Sequence, residues 1–114
     1  MKKSNRRIQD SDMYRAILAL KTEEECKAFF TDLCSITELM AMEQRYEVAK
    51  LLNEGLIYNI IMERSGTSSA IISRVNRSLQ YGAGGYGIAF SRLYGEKKPE
   101  DGEEEHDEEQ EHKD

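Results

Sequence analysis

Apolar residues recur along this chain at spacings of three and four, the period of helices that bury one side. Tyr14, Ile17 and Leu18 fit that spacing behind Ser11, whose hydroxyl can cap a helix running to about Leu20. Thr22 and Glu25 form a capping-box pattern opening a second helix to about Cys34, with Cys26, Phe29, Phe30 and Leu33 on one stripe. Ser35 and Glu38 repeat the device for a long third helix that runs to about Asn53 and stops at Gly55. Its apolar positions include Leu39, Met42, Tyr46, Ala49, Leu51 and Leu52. Short helices are predicted from about Ile57 and from about Ser68, and a last amphipathic stretch with Ile88, Ala89, Leu93 and Tyr94 follows GAGGYG. No segment reads as a strand. The pattern predicts an all-α domain of about six helices over residues 11–95, after a flexible N-terminus, residues 1–10. Residues 96–114 are expected to form a disordered acidic tail, too charged and too poor in apolar residues to fold.

Within this pattern, residues 57–80 have the layout of a helix-turn-helix. Gly66 stands where the first helix must end and the chain reverse, a place for a residue with φ > 0. Thr67 and Ser68 offer hydroxyls to cap a new helix, and Ile61, Ile72 and Val75 supply apolar contacts on either side of the turn. The second helix opens with Ser68, Ser69 and Ala70, small enough to approach base edges, and then carries Ser73, Arg74 and Arg77. Helix, glycine, helix also builds any αα-hairpin, so charge has to decide.

The chain of 114 residues holds 16 basic and 22 acidic side chains, a net of −6 that argues against a nucleic-acid partner. That balance is uneven. Residues 96–114 hold 11 acidic and 3 basic side chains, which leaves 13 basic and 11 acidic in residues 1–95. Residues 56–94 contain one acid, Glu63, against Arg64, Arg74, Arg77 and Arg92. The motif is locally basic inside an acidic protein, the electrostatic footprint of a DNA reader.

Other chemistries find little support. No apolar run reaches the roughly 18 residues of a membrane span, and the basic start MKKSNRRIQD lacks the apolar stretch of a secretory signal. Cys26 and Cys34 would stand about 12 Å apart along one helix, too far to bridge, and read as buried thiols of a reduced, cytoplasmic protein. Gly82, Gly84 and Gly87 spell GxGxxG, but a helix rather than a strand precedes them, so they read as a flexible link and not a dinucleotide site. His106 and His112 lie among tail carboxylates with nothing to hold metal geometry. Both histidines lie outside the folded region, so no catalytic group is expected and no metal site.

From about Ser35 to Leu79 the chain resembles the tryptophan repressor family, in particular its YerC/YecD-type branch. The resemblance is carried by Gln44-Arg45-Tyr46-Glu47-Val48-Ala49, by Leu51-Leu52-Asn53-Glu54-Gly55, by Tyr58 and the Gly66 turn, and by Ile71-Ile72-Ser73-Arg74-Val75. It implies an intertwined all-α homodimer with one reading head per subunit in successive major grooves. It also implies DNA contacts by the residues just after the turn, here Thr67, Ser68, Ser69, Ala70 and Ser73. Family repressors hold tryptophan between two arginines, and Arg45 and Arg74 stand at those positions, with Ser35 and Ser78 at hydroxyl positions of the same pocket. The departure is Val75 in place of glycine, a β-branched side chain in space the ligand needs, which argues against tryptophan as co-repressor.

The expectation is a sequence-specific, homodimeric, cytoplasmic transcription regulator, a repressor on a double-stranded DNA operator, with Arg64, Arg74 and Arg77 on phosphates. A chain of this size has a thin core, which favours dimerisation. The alternative is a helical protein-interaction module that keeps the fold without reading DNA. The two differ in charge placement: the alternative expects those arginines paired with Glu47, Glu54 and Glu63.

Overall fold

A computed structural model describes residues 11–95 of the chain. The expected flexible N-terminus and acidic tail, with His106 and His112, lie outside the described residues. Six α-helices and no strand are present among the described residues: α1 (Asp12–Ala19), α2 (Glu23–Leu33), α3 (Ile36–Asn53), α4 (Tyr58–Ser65), α5 (Ser69–Tyr81) and α6 (Gly85–Tyr94). The chain divides into two compact units, with the boundary inside α3 between Leu39 and Met40.

In the first unit the local sequence sets the helix starts. Ser11 Oγ accepts from Met13 N–H at 3.0 Å, and Thr22 Oγ1 accepts from Glu25 N–H at 3.0 Å. The Glu25 carboxylate accepts from Lys21 N–H, one residue further out than the usual box, at 2.8 Å. Ser35 and Glu38 form the full reciprocal box, at 2.8 and 3.1 Å. Neither α1 nor α2 buries a residue: Phe29 and Phe30 meet edge to face and are half-buried, while Leu18 is 84% and Ile36 75% exposed. Cys26 and Cys34 are half-buried and form no disulfide with each other.

The second unit holds the core. Val48, Ala49 and Leu51 of α3, Ile61 of α4, Ile72 and Val75 of α5, and Phe90 of α6 are buried together. The end of α3 is closed by Leu56 N–H on Leu51 C=O and Gly55 N–H on Leu52 C=O, at 3.2 and 2.9 Å. Helix α5 ends at Gly82, where a Cβ would collide with the Ser78 carbonyl oxygen.

Helix α6 departs from the sequence expectation. It begins at Gly85, inside the run read as a link, so Gly85 and Gly87 lie in its first turn. Its inward face is Tyr86 and Phe90, while Ile88 and Leu93 are 54% and 66% exposed. Phe90 meets the Tyr46 ring edge-on with centroids 5.5 Å apart and stacks with Tyr86 at 5.8 Å. The Tyr46 and Tyr94 hydroxyls hydrogen-bond at 3.0 Å, which ties α6 to α3. No described helix is long and apolar enough to cross a membrane.

Candidate nucleic-acid interface

The helix-turn-helix is built as its sequence implies. Gly66 takes φ 71° and ψ 23°, and its N–H donates to Met62 C=O at 2.9 Å, closing α4 in a conformation that side chains rarely adopt. Ser68 is the cap of α5, its Oγ accepting from Ile71 N–H at 3.2 Å. Ile61 on α4 and Ile72 and Val75 on α5 are buried, so the predicted clamp across the turn is present.

Thr67 departs from its expected place. It is 9% exposed, and its buried hydroxyl has no hydrogen-bond partner. One residue before the cap, its side chain falls inward, so its hydroxyl neither caps α5 nor reaches the surface. Thr67 therefore leaves the set of candidate DNA contacts.

The remaining candidates lie outside. Ser68, Ser69, Ala70, Ser73, Arg74 and Arg77 are all exposed, and Ala70, Ser73, Arg74 and Arg77 follow the i, i+3, i+4, i+7 spacing of one helix face. The opposite face carries Ile72 and Val75, with Ile71 and Leu79 packed against the core. Arg64, at the end of α4, is exposed as well. Among the described residues none of Arg64, Arg74 and Arg77 forms an ion pair; the Arg15–Asp12 pair is elsewhere, on α1. The carboxylates of Glu47, Glu54 and Glu63 do not hold them.

Two further residues take places to which the sequence alone assigns no role. Gln44 on α3 donates its side-chain N–H to Ser65 C=O at 3.3 Å, and Ser65 Oγ donates to Ile61 C=O at 2.6 Å. The Ser65 carbonyl, in the last turn of α4, thus finds a partner on α3. Tyr81 is 84% exposed and continues the outer face of α5 one turn beyond Arg77, where a phenol suits a phosphate contact. Its periodicity was visible in the chain; the Gln44 bond, across 21 residues, had no sequence signal.

The matching family model is that of the Trp repressor protein, and it covers residues 10–94, nearly all of the described chain. This chain belongs to the Trp repressor family. That family is one of DNA-binding regulators, not enzymes. The chain is 47% identical over 81 residues to YerC of Bacillus subtilis (strain 168), a protein described as uncharacterized, with 71% of this chain and 78% of YerC aligned. Among solved structures it is similar to a TrpR-like protein from Eubacterium eligens ATCC 27750, 48% identical with a TM-score of 0.71. That match covers 76% of this chain and 90% of the other. A Trp repressor candidate from Staphylococcus aureus is 42% identical, also with a TM-score of 0.71, over 76% and 87% of the two chains.

Membership in the Trp repressor family raises the question whether the residues present fit a tryptophan ligand. Arg45, Arg74 and Ser78 are exposed, and the Ser35 hydroxyl is engaged in the α3 cap within the first unit. Val75 is 3% exposed and packed in the core cluster with Val48, Ala49, Ile61 and Ile72. Seating an indole beside Val75 would require this packed side chain to move. An open cavity of about 480 Å³ does lie in the second unit, lined by Met40, Glu43, Gln44, Glu47, Arg64 and Ser65 among others. It includes none of the four expected effector residues.

Proposed function

We propose that this protein is a sequence-specific transcription regulator, a homodimeric repressor that presents α5 to the major groove of a double-stranded operator in the cytoplasm. The observation that carries this reading is the outer face of α5, with small side chains at its start and unpaired arginines behind them. Ser69, Ala70 and Ser73 admit direct or water-bridged contacts to base edges. Arg74 and Arg77, with Arg64 before the turn, supply sequence-independent affinity for phosphates. Free arginines on that face favour DNA over the interaction module, whose expected pairing with Glu47, Glu54 and Glu63 does not occur among the described residues.

The homodimer is supported by the first unit, whose α1 and α2 bury no residue and leave Leu18 and Leu33 exposed. A second copy of the chain would cover them. Regulation by tryptophan is not part of the proposal, because Val75 occupies the core where a ligand would need room.

Selection of bound duplexes from a random pool, using the full chain, tests the reading. The expected product is a near-palindrome with half-site centres about 34 Å apart, bound by a dimer in sedimentation. No enrichment from a chain with intact helical circular dichroism would overturn it.

A further inference from the structure

We infer that the acidic C-terminal segment of this chain, residues 96–114, docks on the exposed arginines of α4 and α5 and competes there with nucleic acid. Its effect on DNA rests on the function proposed above; the contact itself does not.

Arg74 and Arg77 share the outer face of α5 with no ion pair among the described residues, while Arg64, also without one, stands at the end of α4 where Glu43 and Glu47 line a cavity with it. All three are exposed, and residues 56–94 carry one acid against four arginines. The complementary charge is concentrated at one end of the same chain, where residues 96–114 hold 11 acidic and 3 basic side chains. Glu103, Glu104 and Glu105 are followed by Asp107, Glu108 and Glu109. Were such runs extended, side chains would alternate sides, placing a carboxylate roughly every 7 Å along each side.

Reach is not limiting. The last described residue is Gly95, and the 19 residues beyond it can extend up to about 60 Å. A 100-residue domain has a radius of gyration near 13 Å, so any point on the second unit lies within range. Tethering holds the carboxylates at an effective concentration on the order of millimolar, which makes individually weak contacts competitive. Non-specific DNA binding is almost wholly electrostatic, whereas specific binding adds base contacts. The segment therefore suppresses non-specific binding more than operator binding and sharpens discrimination.

The test compares the full chain with a full-length variant whose segment carries no charge. Within residues 96–114 every Glu is changed to Gln and every Asp to Asn, with Lys97→Gln, Lys98→Gln and Lys113→Gln, so that no polycation is created. Two readouts are taken at about 50 mM salt: affinity for a random-sequence duplex, and the Nε–Hε NMR signals of Arg64, Arg74 and Arg77 without DNA. The inference expects about three- to tenfold tighter binding by the variant, vanishing at several hundred millimolar salt as screening shortens, and movement of the arginine signals. Equal affinities overturn the competition, and unmoved signals overturn the docking. If neither chain binds any duplex while the signals move, the DNA-reading proposal falls and the contact stands.

Discussion

Replacing Thr67 by valine asks whether the residue before the α5 cap serves stability or recognition. Its side chain is 9% exposed, and its hydroxyl is buried without a partner. Taking a hydroxyl out of water with no compensating bond costs roughly 1–3 kcal/mol in proteins. Valine keeps the β-branched shape and puts a methyl where the hydroxyl sits, so most of that cost is relieved. With residual exposure discounted, Thr67→Val should stabilise the chain by about 1 kcal/mol. For a domain of this size that is a rise in Tm of roughly 4–8 °C. Thermal melts at matched chain concentration measure the first effect, and titration of the selected operator measures the second. The expected result is a higher Tm with unchanged affinity. A lower Tm would show that the hydroxyl has a partner. A tenfold loss of operator affinity at unchanged Tm would return Thr67 to the DNA contacts and refute the reasoning.

Calorimetry with millimolar tryptophan should give no saturable heat on the unmutated protein, since displacing packed Val75 would cost about 1–3 kcal/mol, or roughly ten- to a hundredfold in affinity. A tryptophan isotherm coupled to tighter DNA binding would show the pocket open. Arg74→Ala and Arg77→Ala should each weaken binding to all duplexes and lower the slope of log affinity against log salt by about one, measured by salt titration. Burial, and then the hydrogen bond to Tyr94, push the Tyr46 phenol up from 10.0 to about 12. The folded chain holds this phenol neutral where the unfolded chain ionises it. Its contribution to stability is therefore complete below pH 10 and is lost as pH rises toward 12. Alkaline ultraviolet titration should show Tyr46 ionising above pH 10, and Tyr94→Phe should lower that midpoint.

Features set by neighbouring residues were legible in the chain. The caps at Ser11, Thr22 and Ser35 and the turn at Gly66 depend on groups within a few positions of one another, and each forms at the expected place. Features set by packing were less so. Thr67 and Ser68 are chemically equivalent caps, and only the direction of the chain leaving Gly66 selects Ser68 and turns Thr67 inward. The glycine run hides the start of α6, so in the sequence Ile88 and Leu93 look like its apolar stripe, whereas the structure puts Phe90 against Tyr46 and leaves those two exposed. The exposure of Ser69, Ala70, Ser73, Arg74 and Arg77 follows from the helical period of α5, and Tyr81 continues that face at its end. Gln44 could not be found, because its bond to Ser65 joins segments that only the fold brings together.

Helix α5 keeps its two sets of residues apart. Ile72 and Val75 face the core, while Ser69, Ala70, Ser73 and Arg77 touch solvent. Exposed helix positions change stability by no more than about half a kcal/mol when substituted, so the outer set can drift almost without penalty to folding. Descendants of one ancestral chain could then acquire new target sequences by a few exchanges on a constant scaffold. The same separation makes this helix an exchangeable cassette: grafting another outer stripe onto the inner one should redirect the protein to a different site.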